Sequence, residues 1–191
     1  MPDLPDKSGV RAQVLGARRA CPARVREAAD AHLVRLAVDL VRGTPTLAAY
    51  VPLPGEPGGP VLVASLAAAV EDLLLPVVLP DRDLDWAHYD GSLARSPFLE
   101  VAEPTGSRLG RAAIAGADLV LVPALAVSFA GVRVGRGGGS YDRALARVSP
   151  GTPVVALLYE DELRPALPAA PHDRPVTAVL TPSGLRTVPM V

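Results

Sequence analysis

Thirteen consecutive residues, Gly131-Val-Arg-Val-Gly-Arg-Gly-Gly-Gly-Ser-Tyr-Asp-Arg143, combine five glycines, three arginines and one carboxylate. Glycine lets the backbone take positive φ and approach a ligand closely, so that successive N–H groups can converge on an anion. Arginine adds a planar donor fork matched to phosphate oxygens. The chemistry this predicts is phosphate binding. The stretch holds neither Gly-x-x-x-x-Gly-Lys-Ser/Thr nor a clean Gly-x-Gly-x-x-Gly opening a first βαβ unit, so the usual P-loop and dinucleotide readings are set aside.

A second feature is Lys7, because it is the one lysine among 19 basic side chains. A composition that otherwise uses arginine suggests a place for a compact ammonium point charge. Asp142 reads either as a stabilising acid in a first helical turn or as a carboxylate beside bound phosphate, where a divalent cation would remove the repulsion. Glu56, bracketed by Gly55 and Pro57, reads either as a surface acid or as a substrate contact. Trp86 reads either as a core residue or as part of a ligand wall.

These groups need a scaffold, and the hydrophobic pattern describes one. Ala117 to Ala126 is a nearly continuous apolar run, as in a strand covered on both faces of a parallel sheet, with strand residues 118–122. Ser140 to Val148 reads as a helix pointing its N-terminus at the ligand of the loop. Ala23 to Val41 reads as an amphipathic helix with Val25, Ala29, Leu33, Leu36 and Leu40 on one face. Strands are predicted at 47–51, 75–79, 153–159 and 176–180, a helix at 61–72, and a strand or turn at 80–89. The alternation implies right-handed crossovers in a three-layer, Rossmann-like α/β fold: an open, mostly parallel sheet flanked by helices, formed by residues 1–191 as one domain. Ligands in such sheets sit beyond the carboxyl ends of the strands.

Composition narrows the function. The chain has 191 residues, 49% of them hydrophobic but only 4% aromatic, so its core must be built from Val, Leu and Ala. Nineteen basic against 20 acidic residues, with a pI near 6.3, argue against a general nucleic-acid partner. Cys21 stands alone and rules out an intrachain disulfide; His32, His88 and His172 lack zinc-ligand spacing. No charged start followed by a long apolar segment suggests export or membrane insertion, which predicts a cytoplasmic protein; a monomer or weak dimer is the expected state. The 21 prolines punctuate apolar segments singly and read as loop stiffeners.

The glycine loop resembles the signature of the 5-formyltetrahydrofolate cyclo-ligase family, Gly-x-Arg-Leu-Gly-x-Gly-x-Gly-Tyr-Tyr-Asp. Its counterparts are Gly131, Arg133, Val134, Gly135, Gly137, Gly139, Ser140, Tyr141 and Asp142. The likeness continues in Lys7-x-x-Val10-Arg11 with Arg18-Arg19, Tyr50-x-Pro52-x-x-x-Glu56, Leu79-Pro80 with Trp86, Glu103-Pro104, Val122-Pro123, and Leu167-Pro168 followed by His172-Asp173. The family's fold is similar to that of sugar-phosphate isomerases. The resemblance implies ATP and Mg²⁺ as requirements and a reduced folate as substrate. It places Lys7, Arg11, Gly135, Arg136, Gly137, Gly138, Gly139, Ser140 and Tyr141 at the ATP phosphates, and Asp142 at magnesium. It assigns Tyr50, Glu56, Trp86 and Tyr141 to the folate, and makes Lys7, Arg136 and Asp142 the groups on which the reaction depends.

The implied reaction transfers the γ-phosphoryl group to the formyl oxygen of 5-formyltetrahydrofolate, after which N10 attacks and phosphate leaves. The products would be 5,10-methenyltetrahydrofolate, ADP and phosphate. The alternative is a non-catalytic relative that binds nucleotide or folate as a regulatory module. A sugar-phosphate isomerase or deaminase of similar architecture would need no ATP and would leave Lys7 without a task. Three positions depart from the family pattern: Ser140 replaces a tyrosine, Ser128 a common aspartate, and Ala170 stands where Pro-x-Glu often precedes His-Asp. Arg143 reads as a helix cap or solvated side chain, Arg133 as a loop-positioning residue, and His172-Asp173 as a turn outside the site.

Overall fold

The computed structural model describes residues 6–96, 101–171 and 173–189. The chain opens with helix α1 (Lys7–Ala20), capped by Asp6, whose carboxylate accepts from the Gly9 N–H at 2.7 Å. After the break at Cys21-Pro22 comes α2 (Ala23–Val41), then strand β1 (Thr46–Ala48), α3 (Leu62–Ala67), β2 (Asp72–Val78) and β3 (Leu84–His88). An antiparallel pair follows, β4 (Leu93–Arg95) and β5 (Ala102–Pro104), and then a 3-10 turn at Arg111–Gly116. The second half contains β6 (Leu119–Pro123), β7 (Ala126–Ser128), β8 (Arg133–Val134), α4 (Ser140–Leu145), β9 (Val154–Leu157), β10 (Leu163–Arg164), β11 (Ala178–Thr181) and β12 (Gly184–Thr187).

The main sheet runs β12-β11-β9-β6-β1-β2-β3. Its five inner strands are mutually parallel, and the edge strands β3 and β12 are antiparallel to their neighbours. Side chains alternate across it with the period of two that a strand imposes. Leu119 and Leu121 of β6 enter a core with Leu33, Val34, Ala37 and Val41 of α2 and Leu62, Val63 and Leu66 of α3. Val120 and Val122 enter a second core with Ile114 of the 3-10 turn and Ala144 and Leu145 of α4. Burial on both faces explains why these strands read as continuous apolar runs, each fully buried Leu or Val contributing about 1.5–3 kcal/mol. The fold is the α/β architecture that the sequence predicts.

Helix α1 belongs to neither layer. Its Val10 and Val14 pack with Leu125, Ala126, Val134 and Leu167 at the carboxyl end of the sheet, where β10-β7-β8 forms a small separate sheet. This docking brings the first turns of α1 to the glycine-rich loop.

Several local expectations shift. In α2 the buried residues are Leu33, Val34, Ala37 and Val41. Leu36 and Leu40 are half-buried, while Val25 is 55% exposed because the first turn lies past the core. The helix expected over 61–72 is shorter, since Asp72 must already pair opposite Thr46 to begin β2. Pro76 sits inside β2, a position tolerated because β1 pairs only as far as Leu74 and leaves that side of the strand without a ladder partner. Residues 80–89 resolve into a turn and β3, and the helix after the loop stops at Leu145. Strand β12 carried no pattern separable from a loop, as its residues 185–187 are exposed on the sheet edge.

Candidate active site

A cavity of about 420 Å³ opens at the carboxyl ends of β1 and β6. Tyr50 and Val51 reach it just past β1, and Pro123 and Ala124 from the end of β6. Lys7 and Arg11 enter from the first two turns of α1. Gly135 through Asp142 form the opposite wall, and Pro76, Val78, Leu84 and Val101 supply an apolar side. Arg11 and Gly135, 124 positions apart in sequence, thus share one pocket.

The loop conformation depends on its glycines. Gly137 has φ +99°, and a Cβ there would approach the Arg11 guanidinium carbon at 3.3 Å. Gly139 caps α4 with φ +70°, in the left-handed region. A side chain at either position would strain the backbone and, at Gly137, displace a cationic neighbour. Arg11 Nε donates to the Gly135 carbonyl at 2.8 Å, fastening α1 to the loop. Arg143 Nη2 donates to the carbonyls of Arg82 (2.6 Å) and Gly138 (3.3 Å), so it staples the loop to the β2–β3 turn.

Each remaining cation around the cavity meets an acid. Lys7 Nζ donates to both oxygens of Asp173 at 2.6 Å. Arg136 Nε donates to Glu56 Oε1 at 2.8 Å, while Glu56 Oε2 accepts from the Leu53 N–H at 3.0 Å. Arg133 Nη2 donates to Asp142 Oδ1 at 2.9 Å, and its guanidinium lies 5.8 Å from the Tyr141 ring centroid. The arrangement balances charge across the pocket while leaving cationic donors available to an anion. Glu56 is rigidly presented: its loop is anchored by the Gly58 N–H donating to Asp30 Oδ1 at 3.0 Å and by Tyr50 Oη donating to the Pro57 carbonyl at 3.0 Å. Burial pushes the Tyr50 and Tyr141 phenols up, so both stay protonated.

Twelve of the thirteen residues expected at the site line this cavity: Lys7, Arg11, Tyr50, Glu56, Gly135 to Tyr141 and Asp142. The exception is Trp86. It is wholly buried in the second core, on the same face of β3 as Leu84, and it is Leu84, nearer the start of the strand, that reaches the pocket. Two residues deserve promotion. Asp173, read as part of an outer turn, lines the cavity and holds Lys7; the order of motifs, with His172-Asp173 among them, was its sequence signal. His172 lies outside the described residues. Arg133, 5% exposed, lines the pocket from beneath the loop and also donates to the Pro123 carbonyl at 3.4 Å. Ser128 is structural: its buried Oγ accepts from the Ala130 and Val132 N–H groups in the β7–β8 turn.

A divalent cation fits the donor set. Asp142 Oδ2 carries no hydrogen bond among the described residues, and one carboxylate with phosphate oxygens and water suits Mg²⁺ better than a full protein cage. No group of three His, Cys, Asp or Glu side chains able to hold a metal occurs among the described residues.

The sequence model of the 5-formyltetrahydrofolate cyclo-ligase family matches residues 3–182. A 5-formyltetrahydrofolate cyclo-ligase of Mycolicibacterium smegmatis is 39% identical over 182 residues, 92% of this chain and 93% of that protein. The chain belongs to the 5-formyltetrahydrofolate cyclo-ligase family. Its fold is shared with a 5,10-methenyltetrahydrofolate synthetase of Aquifex aeolicus (TM-score 0.77, 24% identity, 97% of this chain and 94% of that one). It is shared equally with one of Mycoplasma pneumoniae (TM-score 0.74, 19% identity, 93% and 99%). Among the described residues no helix is long and apolar enough to cross a membrane.

Proposed function

We propose that this protein converts 5-formyltetrahydrofolate to 5,10-methenyltetrahydrofolate with hydrolysis of ATP to ADP and phosphate. The observation that carries the reading is the meeting of Lys7 and Arg11 with the loop 135–140 in one cavity that also has an apolar wall and a rigidly held Glu56. Glycine-loop amides, cations and an apolar wall in one pocket suit a reaction between a nucleotide and a largely apolar heterocycle.

The formyl group on N5 is an amide-like carbonyl, and closing it onto N10 requires expelling its oxygen. That oxygen leaves poorly until it is phosphorylated. Attack of the formyl oxygen on the γ-phosphorus forms one P–O bond and breaks the bond to ADP. N10 then attacks the activated carbon, loses its proton, and the C–O bond breaks with its electrons leaving on phosphate. Lys7 and Arg136 would bear the charge spread over the phosphoryl oxygens, and Arg11 would keep the loop amides in register. Glu56 would orient the pterin end, with Tyr50 and Tyr141 as neutral walls. Asp142 would hold Mg²⁺, which supplies neutralisation of phosphate charge.

Methenyltetrahydrofolate absorbs in the near ultraviolet, which gives a direct assay. Absorbance should grow only when protein, 5-formyltetrahydrofolate, ATP and Mg²⁺ are all present. Binding of ATP or folate with no absorbance change would overturn the enzymatic reading in favour of a binding module.

A further inference from the structure

The loop that carries Glu56 has few backbone groups with which to hold itself in place. Residues 51–60 include four prolines, none of which has an N–H to donate. The Leu53, Glu56 and Gly59 N–H groups stay within the loop, on Glu56 Oε2 and on the carbonyls of Leu53 and Glu56. Among the described residues a single backbone donor of the loop reaches another element: the Gly58 N–H, on Asp30 Oδ1 of α2 at 3.0 Å. Asp30 is braced in turn. Tyr159, just past β9, donates its Oη to the same oxygen at 2.8 Å, while its own N–H donates to Glu162 Oε2 at 2.9 Å and the Arg18 guanidinium lies 5.5 Å from its ring centroid. The passage is tight: with φ +95°, Gly58 has no room for a Cβ, which would stand 2.7 Å from Leu62 Cδ2 of α3.

We propose that Asp30 is a positioning residue for Glu56: braced by Tyr159, it fixes the loop so that the Glu56 carboxylate stands at one place in the cavity before the folate enters. Neither Asp30 nor Tyr159 lines that cavity, so both act through the loop alone. The tie falls two residues after Glu56, and Tyr50 Oη on the Pro57 carbonyl secures the residue between them. A charged acceptor makes the Asp30 bond stronger than a neutral one would be. Ordering the loop in the fold spares the substrate the entropy of ordering it on binding. The role rests on the functional reading above, since it presumes that Glu56 meets the folate.

Hydrogen exchange read by mass spectrometry follows the anchor without turnover. The Gly58 amide should exchange slowly in the wild type and at least about tenfold faster in Asp30→Ala. The same substitution should raise the KM for 5-formyltetrahydrofolate by about tenfold, as a displaced contact group does, and move the KM for ATP by less than about threefold. Asp30→Asn keeps an acceptor oxygen, so it should restore slow exchange and bring the folate KM within about threefold of the wild type. Tyr159→Phe removes the brace alone and should shift exchange and folate KM in the same direction by about threefold. In a Glu56→Ala background, adding Asp30→Ala should change the folate KM by less than about twofold, because the group being positioned is gone. Faster exchange with an unchanged folate KM, or full additivity with Glu56→Ala, would overturn the proposal and leave Asp30 as a tie of the fold; wild-type exchange in a folded Asp30→Ala protein would overturn it as well. If the wild type forms no methenyl product, the functional reading falls, and the exchange rates alone still decide whether Asp30 holds the Glu56 loop.

Discussion

Ion pairs around the cavity and ion pairs within the fold use the same residue types, yet they spend their donors differently. Inside, Arg18 lays Nε and Nη2 on the two oxygens of Glu162 at 2.7 and 2.8 Å and gives Nη2 also to the Ala124 carbonyl. Asp83 receives both Nη atoms of Arg147, Nη1 of Arg111 and the Leu84 N–H. These are forked contacts between elements, with Arg18 Nη1 alone of these donors buried without a partner among the described residues. At the cavity each cation gives its acid only part of what it has: Arg136 uses Nε alone, Lys7 keeps a third proton, and Asp142 keeps Oδ2. A pair that leaves capacity unspent on the ligand side can be rearranged by a ligand. One that spends its forks on the interior can only hold the fold.

The difference should separate stability from turnover. Glu162→Ala leaves Arg18, 7% exposed, without its counter-charge, at a cost of about 3–5 kcal/mol. In a chain of this size that lowers the melting temperature by about 6–20 °C, while activity per folded molecule is retained. Replacing both partners, Arg18→Met with Glu162→Leu, should recover most of the loss in calorimetry. A Glu162→Ala protein that melts normally would dissolve the contrast.

Cavity variants should show the reverse. Lys7→Ala, Arg136→Ala and Asp142→Asn each remove a group facing transferred phosphate and should lower kcat/KM by about 10²–10³-fold. Their melting temperatures should fall less than that of Glu162→Ala, because the removed side chains are themselves partly exposed, although their partners Asp173, Glu56 and Arg133 are buried. A loss of stability with normal kinetics would move these residues to the structural class.

Acid exposes the interior pairs from another side. Hydrogen bonds from Arg147 hold the Asp83 carboxyl below the usual aspartate range. A folded-state pKa below the unfolded value of about 3.9 contributes stability that is complete above that value and is lost as pH falls through the folded one. Denaturation midpoints measured from pH 6 down to 3 should therefore drop more steeply in the wild type than in Asp83→Asn. Equal slopes would show that Asp83 does not titrate differently on folding.

How much of this was legible beforehand depends on what kind of signal each part leaves. The inner strands were readable because burial on both faces makes them apolar without interruption, and the phosphate loop because few structures need Gly135, Gly137, Gly138 and Gly139 together. The α2 stripe was mis-set because Ala37 and Val41 are as apolar as Leu36 and Leu40, and only the docked sheet decides which face it takes. Asp173 was missed for a similar reason. Its partner is 166 positions away, and only the packing of α1 against the β7–β8 sheet, through Val10 and Val134, brings the two together.

Trp86 offers the smallest and sharpest test, since the family likeness assigned it to folate and its full burial behind pocket-lining Leu84 puts it in the core. Its Nε1 is buried with no partner among the described residues, so the indole serves there as bulk. Trp86→Phe removes volume, which costs stability, and also removes an unsatisfied N–H, which offsets part of that cost; a net loss of about 1–2 kcal/mol is expected. The KM for 5-formyltetrahydrofolate should not change. Tyr141→Ala, by contrast, strips a wall of the cavity and should raise that KM by about tenfold, equivalent to one buried contact of about 1.4 kcal/mol. If Trp86→Phe weakens folate binding as much as Tyr141→Ala does, the core behind Leu84 is not insulated from the pocket, and the division between scaffold and site has to be redrawn along the strand.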